Sequence, residues 1–192
     1  PRDADHAAGL VDKLSAFLVR LHQTREEDLT STVVPLTKWK RGAIGTVSRA
    51  VDHLAAELPA GVHRRLAAWR EEFAGHVDGL ATEEAVVVHG DFWHDNILTC
   101  DGEVTGVVDW EAAAVADPAV DLAPVWDIDE NLGARLLDGY QQRAGPDASL
   151  HDRIRLFRIA RNVGGITWSL DNDDPGEYAD SLTKVDDVLH LT

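Results

Sequence analysis

At 192 residues, with 44% hydrophobic and 27% charged residues, the chain is long enough to bury a proper core as one domain or two small ones. Its net charge of −16, from 18 Lys+Arg against 34 Asp+Glu, argues against nucleic acid as a partner, because a phosphate backbone demands positive surface. The single cysteine, Cys100, excludes an internal disulfide framework and fits a reducing cytoplasm. No apolar run approaches the ~20 residues of a membrane span, and no basic-then-apolar signal segment opens the chain. An acidic surface favours cationic small molecules, although it serves solubility equally well.

The spacing of Leu10, Leu14, Phe17, Leu18 and Leu21 predicts a helix over Asp5 to Gln23, with Asp3 or Asp5 as its cap. His22, at its end, is expected to bond to a backbone carbonyl. Thr24 to Gly45 is polar and irregular and reads as a loop. Its cluster Lys38-Trp39-Lys40-Arg41 is the one concentrated positive patch and is expected to be solvated. A second helix is predicted from Thr46, with Val47, Val51, Leu54 and Leu58 on one face, and a third with Val62, Leu66, Trp69, Phe73 and Val77. Beyond the central polar segment, Asp117-Pro118 predicts a helix start, with Asp117 as cap and Val120, Leu122, Val125 and Trp126 buried. Helices over Asn131 to Arg143, Ser149 to Leu170 and Glu177 to Leu191 complete the chain. Gly164-Gly165 marks either a weak point or a close approach of another backbone.

The informative stretch runs from His89 to Asp109. The apolar run Val86-Val87-Val88 delivers His89-Gly90-Asp91, and Asn96 lies five residues beyond Asp91. Val107-Val108 then delivers Asp109, after a tight turn expected at Asp101-Gly102. Two carboxylates and an amide are thereby expected at the ends of neighbouring strands. Such a set suits phosphoryl transfer: one carboxylate accepts a hydroxyl proton, while the amide and the second carboxylate hold magnesium on the phosphates.

The segments HGDFWHDNIL, VVDWE and DPAVDLA together resemble the aminoglycoside phosphotransferase and choline-kinase-like family of small-molecule kinases, which share the protein-kinase fold. The matching core covers Val86 to Ala123. The resemblance implies a mainly α fold with a small central β-hairpin sheet, the C-terminal lobe of a protein-kinase-like (α+β) architecture. It implies Asp91 as the catalytic-loop aspartate, Asn96 and Asp109 as the magnesium pair, and Leu98 as the apolar residue beneath the adenine ring. Plain strand core is the competing reading of Leu98. His89 is expected to tie the loop to Asp121, which caps or braces it. The implied cofactors are Mg2+ and ATP, or another nucleoside triphosphate.

Residues 1–192 are expected to form a single domain: a helical part (1–85), the catalytic loop and metal-binding hairpin (86–110), and a helical substrate-binding part (111–192). Trp93 stands where protein kinases carry a lysine, and Trp110-Glu111 replaces Phe-Gly after the metal aspartate. Both departures favour a small hydroxylated substrate over a protein. Asp127, Asp129, Glu130, Asp171, Asp173, Asp174 and Glu177 flank Trp126, Trp168 and Tyr178. Of these, Asp127, Glu130, Trp168, Asp171 and Asp173 are the candidate contacts for an ammonium-bearing acceptor, through ion pairs and cation–π contact. Solvated helix ends are the competing reading.

No glycine-rich phosphate loop and no strand lysine paired with a helix glutamate precede Asp91, and the chain has no methionine. A missing N-terminal lobe is therefore expected ahead of Pro1, with the chain alone turning over little. The alternative is a non-catalytic binding or regulatory module that retains this lobe. A metal-dependent hydrolase built from His89, Asp91, His94, Asp95 and Asp109 is a third reading, in which Asn96 has no purpose.

Overall fold

The computed structural model of the chain describes residues 2–25, 28–29, 33–100 and 103–189. The chain is mostly helical with small antiparallel sheets. The elements are α1 (Arg2–His22), α2 (Leu36–Leu54), α3 (Ala60–Gly79), β1 (Val86–Val88), a 3-10 turn (His94–Asn96), β2 (Ile97–Cys100), β3 (Glu103–Val107), β4 (Ala114–Ala116), α4 (Ala119–Ile128), α5 (Glu130–Ala144), α6 (Leu150–Asn172) and α7 (Pro175–Leu189). The residues cluster into two compact units, Pro1–Leu36 with Thr82–Ile154, and Thr37–Ala81 with Arg155–Thr192.

In the first unit, β1 pairs antiparallel with β4 in the register Val86–Ala116, Val87–Val115 and Val88–Ala114. Val34 joins the far side of β4: its N–H donates to the Ala113 carbonyl, and the Val115 N–H donates back to it, both at 2.9 Å. β4 is buried along its whole length. Leu21, Val33, Val87, Ala113 and Val115 form a core, with Phe17, Leu29, Leu36 and Ala85 packed against it. β2 and β3 form a separate antiparallel hairpin with an irregularity between Leu98 and Thr99. The strands that deliver Asp91 and Asp109 are therefore not neighbours, which corrects the single-sheet expectation. The sequence Ala112-Ala113-Ala114-Val115-Ala116 hides β4, because alanine favours helix and a fully buried strand shows no alternation. The turn expected at Asp101-Gly102 lies outside the described residues, as does the last predicted helical residue, Leu191.

Pro118 precedes α4, and the Asp117 carboxylate accepts the Ala119 N–H at 2.8 Å. Leu122 and Val125 are buried along α4. α1 starts at Arg2, so Asp3 and Asp5 lie inside it rather than before it.

In the second unit, α2 begins ten residues earlier than Thr46, so the basic cluster Lys38-Trp39-Lys40-Arg41 is helical. Gly42 and Gly45 obscure this start, since each costs about 1 kcal/mol in a helix. Nor is the cluster merely solvated. Lys40 Nζ donates to the Asp78 and Leu80 carbonyls at 2.9 and 2.6 Å, at the end of α3, where a cation meets the negative end of the helix. Leu66, Trp69, Phe73 and Val77 are buried along α3. Gly165 is a close-approach position: a Cβ there would lie 2.2 Å from Ser181 Oγ on α7.

Candidate active site

The site begins where β1 stops. Gly90 has φ +86°, and a Cβ on it would lie 2.2 Å from the Ala112 carbonyl oxygen. Only glycine fits this turn without strain. It turns the chain out of the ladder so that Asp91 leaves a buried strand half-buried.

His89 is fully buried. The Asp91 N–H lies 3.3 Å from its Nδ1, and its Nε2 lies 2.9 Å from the Val108 carbonyl. An amide can only donate and a carbonyl can only accept, so the neutral tautomer with hydrogen on Nε2 satisfies both. The imidazole thus joins the backbone of Asp91 to the residue before Asp109. Its ring meets Trp110 edge-on at 4.5 Å and Phe92 at 6.1 Å. Phe92, buried, stacks on Phe17 of α1 at 5.9 Å. The backbone of His89, not its ring, meets Asp121.

Asp121, on α4, is completely buried. It accepts the His89 N–H at 2.8 Å and the Gly90 N–H at 2.9 Å. A third contact comes from His22 Nε2 at 3.1 Å, and His22 Nδ1 lies 2.9 Å from the Tyr140 hydroxyl. This corrects the expectation that His22 bonds to a carbonyl: it ends α1 facing two side chains. Neither it nor Tyr140 was legible as part of the site, because their partners stand 99 and 118 residues from His22. The sole local sign is a polar residue placed directly behind a buried apolar stripe.

Asn96 is held against Asp91. Its Nδ2 donates to both the Asp91 carbonyl and Asp91 Oδ2 at 3.0 Å. Its own carbonyl accepts the Val108 N–H at 2.9 Å, extending the β2–β3 ladder by one step. Asp109 follows at once, exposed and in the left-handed region with φ +63°. A non-glycine residue there stores ~1–3 kcal/mol, a cost found where surrounding structure imposes the conformation. With the Asn96 amide nitrogen occupied, its Oδ1 and the Asp109 carboxylate remain as oxygen donors, a hard-cation set. The residues present therefore fit magnesium. Among the described residues no group of three or more His, Cys, Asp or Glu could hold a metal ion. His94 instead pairs with Asp95 at 2.9 Å, which counts against the hydrolase reading. Leu98 is 47% exposed, so it is not strand core.

The substrate-side candidates are distributed differently. Asp127 and Glu130 belong to the first unit, at the end of α4 and the start of α5. Asp129 between them is a helix cap that accepts the Leu132 N–H at 2.8 Å. Trp168, Asp171 and Asp173 belong to the second unit. Trp168 is exposed, Asp171 pairs with Arg49 at 2.6 Å, and Asp173 has φ +53°. Asp174 caps α7 by accepting the Gly176 and Glu177 N–H groups at 3.0 Å. Trp126 lies against Gly133 and the His151 ring.

A strand, a glycine turn to Asp91, an amide five residues on and a carboxylate after a hairpin make up the arrangement of a kinase-like lobe. The chain belongs to the phosphotransferase enzyme family known as APH, whose family model matches residues 1–157. It is 29% identical over 154 residues to viomycin phosphotransferase from Streptomyces vinaceus, covering 78% of this chain and 50% of that protein. To an aminoglycoside 3'-phosphotransferase from Escherichia coli it is 30% identical over 142 residues, covering 68% and 49%. The chain thus spans about half the length of these curated relatives. Among solved structures, the GDP complex of an aminoglycoside 2'-phosphotransferase matches 97% of this chain and 63% of its own, with TM-score 0.77 and 22% identity. A macrolide 2'-phosphotransferase of type I matches 92% and 58%, with TM-score 0.65 and 23% identity. These structural likenesses establish the fold.

Proposed function

We propose that the chain is the catalytic and acceptor-binding lobe of an ATP-dependent phosphotransferase that acts on a hydroxyl group of a small molecule. The observation that carries this reading is the Asp91–Asn96 contact. The amide holds the Asp91 carboxylate at 3.0 Å through Oδ2, leaving Oδ1 of Asp91 for an acceptor hydroxyl and Oδ1 of Asn96 for a cation. Asp91 then orients the hydroxyl and takes its proton as the phosphoryl group moves. Asn96 and Asp109 would hold magnesium, which when bound neutralises charge on the nucleotide phosphates. Leu98, exposed on the hairpin, offers an apolar face to the nucleotide base.

The nucleotide-covering lobe is assigned to residues outside 1–192, in keeping with the half-length match to relatives. For the acceptor we favour a cationic compound of the aminoglycoside or peptide-antibiotic kind, which would make the reaction one of antibiotic resistance. A chain of net charge −16 attracts such a cation over long range. Asp127 and Glu130, in the first unit, are its proposed contacts; Trp168, Asp171 and Asp173, in the second, are proposed separately as cation-binding groups, and Asp171 would have to exchange Arg49 for the substrate.

The test is transfer of labelled phosphate from ATP or GTP to a panel of aminoglycosides, viomycin, macrolides, amino alcohols and sugars by the full-length protein. Asp91→Asn should lower turnover by roughly 100-fold or more with an unchanged circular dichroism spectrum. Wild-type turnover in that variant would overturn the role of Asp91.

A further inference from the structure

The phosphotransfer reading leaves the buried Tyr140 hydroxyl on α5 without a role. Asp121 receives three contacts, the His89 and Gly90 amides and His22 Nε2. An ionised carboxylate only accepts, so His22 must carry hydrogen on Nε2. In the neutral ring Nδ1 is then a bare acceptor, and the Tyr140 hydroxyl lies 2.9 Å from it. Tyr140 is suited to donate. Burial first, and then the nearby Asp117 and Asp121 carboxylates, push its pKa up to about 12, so its proton stays in place. Asp117 is itself engaged by Arg153 at 2.9 Å, which also reaches Asp147. Burial opposes ionisation of Asp147, yet the Arg153 and Ser149 hydrogen bonds hold its carboxyl below the usual range.

We infer that Tyr140 is a positioning residue of the transfer reaction: its hydroxyl sets the orientation of His22, which holds Asp121 against the two amides that aim Asp91. The chain of contacts is continuous and buried from α5 to the catalytic turn. Tyr140, His22 and Asp121 are 6%, 7% and 0% exposed, so water is not at hand to replace a lost donor. The rings of His22 and Tyr140 also meet edge-on at 5.4 Å. Ring packing and hydroxyl donation are therefore separable contributions of one side chain. Removing only the hydroxyl leaves Nδ1 without a donor in a dry site. The His22 ring is then free to reorient, its Nε2–H is no longer aimed at Asp121, and Asp121 loses the contact that fixes its third side.

This inference rests on the proposed phosphotransfer activity, so the experiment has one readout that depends on it and one that does not. In the full-length protein, Tyr140→Phe should lower kcat about tenfold, a shift of ~1.4 kcal/mol in the barrier, with the KM for nucleotide and acceptor within twofold of wild type. Tyr140→Leu should lower kcat no further, because the hydroxyl is already gone, although it should unfold at a lower temperature. Nitrogen NMR of the imidazoles should show the His22 Nδ1 signal displaced in Tyr140→Phe. Unchanged His22 nitrogen signals would overturn the inference whatever the activity, as would a Tyr140→Phe enzyme with wild-type kcat. If kcat falls only in Tyr140→Leu, the residue is packing alone and the inference fails. If the wild type phosphorylates no acceptor on the panel, the proposed function fails, while the NMR arm still decides whether Tyr140 sets His22.

Discussion

The β1–β4 ladder and the β2–β3 hairpin support the two carboxylates of the site in opposite ways. The ladder is buried, runs into a glycine turn, and passes Asp91 to a backbone held by Asp121 and by the His89 ring. On the hairpin, three of the four residues of β2 are exposed, with Leu98 at 47% and Val108 at 39%, and Asp109 itself has no cation paired with it among the described residues. Asp91, the proposed acceptor-side carboxylate, is thus held by what lies beneath it. Asp109, the proposed metal-side carboxylate, is held in an uncommon backbone conformation and is exposed. A residue that must orient a hydroxyl benefits from a rigid setting, whereas a residue that must receive a metal–nucleotide complex needs an open face.

Substitutions on the two sides should separate stability from activity. The largest effect is expected from Asp121→Ala, which strips the acceptor from two buried amides and His22. Each such orphan costs roughly 1–3 kcal/mol, so urea denaturation should show a loss of about 3 kcal/mol or more. A loss below about 1 kcal/mol would mean that the turn does not depend on Asp121. Next comes Gly90→Ala, where a side chain meets both φ +86° and the Ala112 carbonyl. A destabilisation of about 2 kcal/mol is expected, readable as a lower thermal midpoint, together with loss of activity.

On the hairpin side the two properties should part. Asp109→Gly relieves the left-handed strain and should leave stability unchanged or raise it by up to about 1 kcal/mol. Magnesium-dependent nucleotide binding should nonetheless disappear in calorimetry of the full-length protein. A clear destabilisation would show that the Asp109 side chain carries structural weight. The smallest change is expected from Leu98→Ala, with stability within about 0.5 kcal/mol of wild type and nucleotide affinity roughly tenfold weaker from lost apolar contact. Unaltered affinity would remove Leu98 from the nucleotide face.

Legibility followed the same division. Asp91, Asn96 and Asp109 stand within one short stretch, and turns of a few residues leave little freedom in how such neighbours meet, so their spacing carried the chemistry. β4 did not show because an alanine-rich buried strand has no alternation and reads as helix. The start of α2 at Leu36 was obscured by Gly42 and Gly45, although burial of Val47, Ala50 and Val51 and the Lys40 contacts to the end of α3 hold it in place. The acids near Trp126 and Trp168 looked alike as a composition. The structure shows Asp129 and Asp174 to be helix caps and Asp171 to be paired with Arg49.

By itself the sequence determined the helical class, the apolar faces, and a candidate catalytic stretch whose parts lie close along the chain. Tertiary structure alone decided which buried polar group meets which. The pairing of His22 with Asp121 and Tyr140 joins three helices across 99 and 118 residues, and no local period encodes it. Such contacts form only when packing has removed water and left each donor one acceptor within reach.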